Sequence, residues 1–306
     1  MTTRRLSWSE RDLADQSGRT VVITGANSGL GLRAATVLGE HGARVLLACR
    51  SRERGEQAVS TVRGGELVLL DLADLSSVRS AAAEIRQRTG DQLDILINNA
   101  GITWPPLRRT VEGYESTFAT NHLGHAALTW LLMPALRGGT DPRVVHVASI
   151  AARSGMLDLH DPNFHRRRYN GGLAYGQSKQ ANLIFGLELE RRLRAAGDQI
   201  RSVVAHPGMT DTELFPNSMR DRGRLLLRAS RVLNSLITQR VGAGTLPILY
   251  AATAPEAHGY YGPGGPLEIR GAVGPARIPR AATAEPVARR LWDLTAELTG
   301  IAPDPG

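Results

Sequence analysis

From Thr20 onward the chain alternates short β-branched runs with longer stretches whose apolar positions recur at helical spacing. The short runs predict strands at Thr20–Thr24, Arg44–Ala48, Glu66–Leu70, Asp94–Ile97, Arg143–Ala148 and Ile200–Ala205. The longer stretches predict helices at Leu30–His41, Ser51–Val62, Leu75–Thr89, Val111–Leu136 and Leu173–Ala195. Such alternation is the pattern of an α/β fold, a parallel sheet with helices on both faces. Residues Gly259 to Pro286 are rich in Gly and Pro and read as irregular, apart from a short last strand at Leu267–Ile269; Val287–Leu298 reads as a closing helix. No repeat or linker interrupts the pattern before residue 270. The expectation is one domain over residues 1–306, with an arm at 1–18, a lid segment at 209–241 and a C-terminal extension at 270–306.

Composition narrows the class. At 42% hydrophobic and 22% charged, the chain matches an ordinary soluble globular protein. Its one cysteine, Cys49, rules out an intrachain disulfide and suits a reducing compartment. The polar start from Met1 to Gln16 lacks the apolar core of a secretory signal, and the longest apolar stretch, Ala126 to Leu136, is too short for a membrane span. A cytoplasmic location is expected. The net charge of +8 raises the question of nucleic acid, but the arginines are scattered and no recognition motif accompanies them, so no nucleic-acid partner is expected.

The charge count carries a sharper signal. Of 37 basic residues one is Lys, and it stands four positions after a tyrosine in Tyr175-Gly-Gln-Ser-Lys179. Residues four apart on a helix are neighbours, so phenol and ammonium can share one space. A solvated helix face would also place them together, but a chain that uses Arg for every other positive charge has no need of Lys there. An adjacent ammonium lowers a phenol's pKa from about 10 and makes Tyr175 a candidate proton donor and acceptor.

Other motifs lie where strands end. Thr24-Gly-Ala-Asn-Ser-Gly-Leu-Gly31 follows the first strand and opens a helix. There Gly25 permits a sharp turn, Gly29 close approach of an anion and Gly31 tight packing, while the helix start can hold a pyrophosphate. An NAD site wants an acidic residue about 20 positions beyond these glycines. The second strand instead ends Ala48-Cys49-Arg50-Ser51-Arg52, so a guanidinium at Arg50 could take a 2′-phosphate; the other reading is that Arg50 and Arg52 begin a surface helix. NADP(H) is therefore expected over NAD(H). Asp71, after the third strand, could accept from an adenine amino group or cap the next helix. Asn98-Asn-Ala100-Gly101 would allow close approach of a ribose. Ser149, ending a strand on the same edge, could donate to a substrate carbonyl oxygen or act as a cap. His122, His125 and His206 are too scattered to argue for a metal site.

Together these motifs resemble the short-chain dehydrogenase/reductase family over nearly the whole chain, with His206-Pro-Gly208 and Thr212 as further matches. Ala48-Cys-Arg50, Asn121-His-Leu-Gly-His125, Ala174-Tyr-x-x-Ser-Lys179, Tyr260-Tyr-Gly-Pro263 and the wide gap from Ser149 to Tyr175 are most similar to the branch of retinol dehydrogenases, WW-domain-containing oxidoreductase and protochlorophyllide reductase. The resemblance implies a Rossmann-type doubly wound sheet of seven parallel strands in the order 3-2-1-4-5-6-7, and a homodimer or homotetramer. It implies a tetrad of Asn121, Ser149, Tyr175 and Lys179: Tyr175 moves the proton, Ser149 positions the oxygen, Lys179 holds the nicotinamide ribose and Asn121 anchors a relay water. The cofactor would be held by Gly25, Asn27, Ser28, Gly29, Leu30 and Gly31, by Arg50, Asp71 and Leu72, by Asn98, Ala100 and Gly101, and by Pro207, Gly208, Thr210 and Thr212, with Tyr175 and Lys179 at the ribose. Two departures stand out. Asn27-Ser28 occupy positions where some NADP-dependent members carry a basic residue, and Cys49 lies in a strand, away from where pigment reductases use cysteines.

The substrate should be shaped by Ile150–Gly172 and by Met209–Val241, where Leu225, Leu226, Leu227, Val232, Leu233, Leu236 and Ile237 interleave with arginines. An apolar lid of this kind suits a lipophilic ketone, aldehyde or alcohol; it would also suit a peripheral membrane contact. The competing reading is a non-catalytic dinucleotide-binding scaffold, and the intact Ser149, Tyr175 and Lys179 argue against it.

Overall fold

The computed structural model describes residues 7–209 and 241–306. Among these, β1 (Thr20–Thr24), β2 (Arg44–Cys49), β3 (Gly65–Leu69), β4 (Ile95–Asn98), β5 (Arg143–Val147), β6 (Arg201–Ala205), β7 (Gly259–Pro263) and β8 (Val273–Pro275) form one sheet. Its order is β3-β2-β1-β4-β5-β6-β7-β8. The first seven in that row are parallel, and β8 runs antiparallel to β7. The expected Rossmann-type order 3-2-1-4-5-6-7 is present, with one strand more.

The strands are apolar at successive positions because both faces are covered. Val22, Leu46, Val68, Leu96, Val144 and Val204 enter one core. Val21, Ile23, Val45, Leu47, Ile95, Val145 and Val203 enter the other. Helices α1 (Gly29–Glu40), α2 (Arg52–Val59), α3 (Leu75–Thr89), α4 (Gly124–Arg137), α5 (Gly171–Ala195), α6 (Val241–Thr253) and α7 (Glu285–Thr299) supply the opposing surfaces. Residues 270–306, read from sequence as an extension, contribute β8 and α7. Trp292 of α7 is buried and stacks on Phe185 of α5 with ring centroids 5.0 Å apart.

Two sequence expectations are corrected. The segment Leu267–Ile269 is no strand: Pro266–Glu268 form a 3-10 turn, with Leu267 and Glu268 at φ 54° and 56°, outside any extended conformation. The strand lies earlier, at β7, where Tyr260 and Tyr261 bury on opposite faces of the sheet. The helix expected over Val111–Leu136 begins only at Ser116, because the Glu115 carboxylate takes the amides of Thr117 and Phe118. It then widens into a π-turn at Ala119–Leu123 before α4. Helix α6 had no counterpart in the sequence reading. The proposed lid at 209–241 falls almost wholly outside the described residues, as do Thr210 and Thr212.

Candidate active site

The glycine turn and the Asn99–Gly101 turn form one unit at the carboxyl edge of the sheet. Gly25 has φ 66°, and a Cβ there would lie 2.9 Å from Ala100. The two turns can approach only because residue 25 is Gly. The Thr24 hydroxyl accepts from the amides of Asn99 and Ala100 at 2.9 and 3.0 Å, and Asn99 Nδ2 donates to the Thr24 carbonyl at 2.8 Å. Helix α1 then starts at Gly29 behind Ser28, whose side chain takes no capping hydrogen bond. Its first amides are therefore not spent on their own cap, and with the helix dipole they suit a pyrophosphate. Asn27, Ser28, Gly29 and Leu30 line this start.

The second strand's end separates the two readings of its arginines. Ser51 caps α2, accepting from the Arg54 amide at 3.4 Å. Arg52 lies inside that helix and pairs with Glu56 at 3.6 Å, so it belongs to the helix surface. Arg50 precedes the cap and is exposed. Asp71 does not cap α3; Asp74 does, taking the amides of Ser76 and Ser77. Asp71 Oδ1 closes a local turn by accepting from the Ala73 amide at 2.9 Å. Leu72 is buried, and its carbonyl lies so near Gly124 that a Cβ there would approach it to 2.3 Å.

Asn98 does not turn its side chain to the crevice. It is buried and its Nδ2 donates to Thr129 Oγ1 at 2.9 Å and to His146 Nδ1 at 3.4 Å, inside the core. Only its backbone reaches the edge. Pro207 and Gly208 follow β6, and Gly208 has φ 70°.

The four tetrad candidates converge. Lys179 is 4% exposed and donates to the Val147 carbonyl at 2.8 Å. Its Nζ lies 6.0 Å from the Tyr175 ring centroid. A Cβ on Gly101 would sit 3.2 Å from Asn121 Oδ1 and 3.6 Å from Lys179 Nζ, which places amide, amine and the Asn99–Gly101 turn around one point. Asn121 lies in the π-turn; its side chain accepts from the Ile102 amide at 2.8 Å and donates to the Ile102 carbonyl at 3.1 Å and to Ser178 Oγ at 2.9 Å. Ser149 caps the turn that follows it: its hydroxyl accepts from the Ala151 amide at 3.2 Å, and it lies close enough to the Tyr175 phenol to favour the phenolate.

One electrostatic expectation is reversed. Burial pushes the Tyr175 phenol above its ordinary value, and the Ser149 hydroxyl only partly offsets this. The ammonium does not dominate because it is directed at the Val147 carbonyl, and burial lowers Lys179 itself to about 8.

The sequence reading also passed over connected residues. His125 Nδ1 lies 2.9 Å from the Asn121 carbonyl and Nε2 2.8 Å from the Thr24 hydroxyl. Its signal was available, a second histidine four positions after Asn121. His206, part of the His206-Pro-Gly208 motif, forms a cluster with Glu268 and Arg153, which carry no sequence signature.

This geometry can be set beside known proteins. The sequence profile described as "short chain dehydrogenase" matches residues 19–223. The chain belongs to the short-chain dehydrogenase family. Human retinol dehydrogenase 12 is 38% identical over 291 residues, spanning 93% of this chain and 87% of its own. Mouse polyprenol dehydrogenase is 37% identical over 306 residues, spanning 94% and 86%. A crystal structure of an uncharacterized protein from Mycobacterium paratuberculosis is 40% identical with TM-score 0.80, covering 96% of this chain and 98% of that one. A Pseudomonas aeruginosa protein solved as an NADP active-site complex, 24% identical with TM-score 0.64 over 80% of this chain and 93% of its own, shares the fold. The protein is an oxidoreductase of this family related to the retinol and polyprenol dehydrogenases.

Proposed function

We propose that the protein is an NADP(H)-dependent oxidoreductase that interconverts a lipophilic ketone or aldehyde and its alcohol. The observation that carries this reading is the convergence of Tyr175, Ser149 and the buried Lys179 beside the Asn99–Gly101 turn. Asn27 to Gly31 would hold the pyrophosphate, Arg50 the 2′-phosphate, and Pro207 and Gly208 the nicotinamide end. When bound, the nicotinamide supplies a hydride to the carbonyl carbon or takes one from the alcohol.

The chain's own part is proton handling and alignment. Burial keeps the Tyr175 phenol protonated at neutral pH, the form that gives a proton to the carbonyl oxygen. Ser149 donates to that oxygen as negative charge grows on it. The Lys179 ammonium, fixed by Val147, stabilises the phenolate left behind. In the oxidising direction each role reverses.

Two observations support a lipophilic substrate. The relatives are named for retinol and polyprenol. In addition, the exposed large apolar residues Trp104, Met156 and Leu267 sit on connections leaving the carboxyl ends of β4, β5 and β7, and exposed Leu173 lies in the first turn of α5.

The test is NADPH consumption across a panel of medium- and long-chain aldehydes and ketones, with small polar carbonyls alongside. Lipophilic members should turn over, and Tyr175→Phe should lower kcat by about 10²–10⁴-fold while NADPH still binds. Turnover of the small polar carbonyls alone would refute the substrate class. A Tyr175→Phe enzyme with near-normal kcat would overturn the mechanism.

A further inference from the structure

Leu267 and Glu268 are consecutive residues in the left-handed region, at φ 54° and 56°. Each such residue without a glycine's freedom costs about 1 kcal/mol or more, so something must hold the turn in place. Burial of Leu267 is not the reason, since it is 76% exposed. What the turn achieves is the placement of the Glu268 carboxylate, whose side chain is only 13% exposed.

Three separate segments meet at that carboxylate. Arg153 ends the 3-10 turn Ile150–Arg153 that Ser149 caps, and its guanidinium pairs with Glu268 Oε2 while Nη1 donates to the Leu267 carbonyl at 3.1 Å. The Arg277 amide, just beyond β8, donates to Oε1 at 3.0 Å. His206, the residue before Pro207 and Gly208, lies 2.9 Å from Oε2 through Nε2. The Gly208 amide donates to His206 Nδ1 at 3.2 Å, so Nδ1 is the acceptor and Nε2 carries the hydrogen given to Glu268. The ring occupies a slot that exists because residue 262 is Gly: a Cβ there would come within 2.0 Å of Nε2. Burial pushes the Glu268 carboxyl up, but His206, the Arg277 amide and Arg153 outweigh it and keep it ionised.

We propose that Glu268 is a positioning residue that fixes the Ser149 turn and the Pro207–Gly208 turn relative to each other, through Arg153 on one side and His206 on the other. These two turns are the walls of the crevice where the proposed reaction takes place. The inference rests on the reading that a dinucleotide lies there. It assigns Glu268 no contact with substrate or cofactor. Its effect reaches the nicotinamide end and spares the adenine end, which lies at the glycine turn and β2.

That asymmetry makes the test selective. Glu268→Gln and Arg153→Met are compared with the wild type for binding of NADPH and of 2′,5′-ADP, which carries only the adenine half. Thermal unfolding and kcat are followed in parallel. Each variant should raise the NADPH Kd by about tenfold, equivalent to about 1.4 kcal/mol. The 2′,5′-ADP Kd and the unfolding midpoint should stay close to wild type. The double variant should be no worse than Glu268→Gln alone, because both act through one contact. Unchanged NADPH binding and kcat in both variants would overturn the proposal. Equal weakening of NADPH and 2′,5′-ADP, or a large drop in the unfolding midpoint, would make Glu268 merely structural and overturn it as well. A wild type that binds NADPH, NADH and 2′,5′-ADP not at all would instead remove the cofactor reading beneath it.

Discussion

The Thr24 hydroxyl donates to Nε2 of His125 at 2.8 Å, joining the strand before the glycine turn to the helical run that carries Asn121. The direction follows from the partners. A carbonyl can only accept, so His125 Nδ1, 2.9 Å from the Asn121 carbonyl, carries the ring hydrogen and Nε2 is the acceptor. Thr24 must therefore give its one hydrogen to His125, leaving both lone pairs for the Asn99 and Ala100 amides. The Ile97 carbonyl, 3.4 Å from the same hydroxyl, is the more distant alternative acceptor.

Breaking this chain should cost stability and alignment together. His125→Phe leaves the buried Thr24 hydroxyl and the Asn121 carbonyl short of a partner, at about 1–3 kcal/mol for each unmet group. Thr24→Val strips the same link from the other side. Urea unfolding of both single variants and the pair should show a coupling energy above about 0.5 kcal/mol, the scatter expected of independent sites. Strict additivity would mean that the two residues do not act through one hydrogen bond.

Lys179 predicts opposite trends in activity and stability. Its folded pKa of about 8 lies below its ordinary value of 10.5 because burial disfavours the ammonium. Between these values the unfolded chain binds a proton that the folded chain has released. The contribution of this residue to stability therefore rises with pH across that window. Catalysis that needs the ammonium does the reverse, and kcat for NADPH-dependent reduction should fall as pH climbs through about 8. Lys179→Met should abolish most turnover while leaving the unfolding midpoint unchanged or raised, since it removes a desolvated charge. A pH–kcat profile flat to pH 10 would show that the ammonium is not required.

Much of the fold was legible because it is set locally or by burial on both faces. Helix α3 was read at its observed bounds; Asp74 caps its start, and Gly90, at φ 60°, ends it. Strand β1 was likewise read residue for residue. Strand β7 was missed because Gly259, Gly262 and Pro263 carry no strand preference; its pairing with β6 decides its conformation. Helix α6 contains Pro247 and Gly244, which argue against a helix until burial between β5, β6 and α1 overrides them. In the site, motif spacing located Tyr175 and Lys179, whereas the side-chain direction of Asn98 depends on the pleat of β4. The sign of the Tyr175 shift was missed because neighbouring charge is visible in a sequence and burial is not.

Acid should destabilise the fold steeply. His122, His125 and His146 are buried, and burial lowers them to about 4, 3 and 3 from an ordinary 6.5. Below pH 6.5 the unfolded chain takes up protons that the folded chain refuses, so stability is lost as pH falls. Each histidine contributes a slope of up to about 1.4 kcal/mol per pH unit. Urea unfolding at pH 7.0, 5.5 and 4.5 should show this fall, with the slope reduced by up to about 1.4 kcal/mol per pH unit in His146→Leu. An unfolding free energy constant down to pH 4.5 would mean that these rings are charged or solvated in the folded state.

Arg50 should set cofactor choice by itself. It stands outside α2, ahead of the Ser51 cap, whereas Arg52 lies within the helix and is paired with Glu56. A guanidinium free of the helix at the end of β2 can meet a 2′-phosphate with charge-assisted hydrogen bonds worth about 1.5–3 kcal/mol. Arg50→Asp replaces that donor with a carboxylate, which repels the phosphate and accepts from the ribose hydroxyls of NADH. The KM for NADPH should rise by about 10- to 100-fold, following from that energy, while the KM for NADH falls. Arg52→Ala should leave both constants within about twofold, since an exposed helix pair is worth only a few tenths of a kcal/mol. If Arg50→Asp leaves the ratio of the two KM values unchanged, the phosphate is held elsewhere and the preference for NADP(H) loses its structural basis.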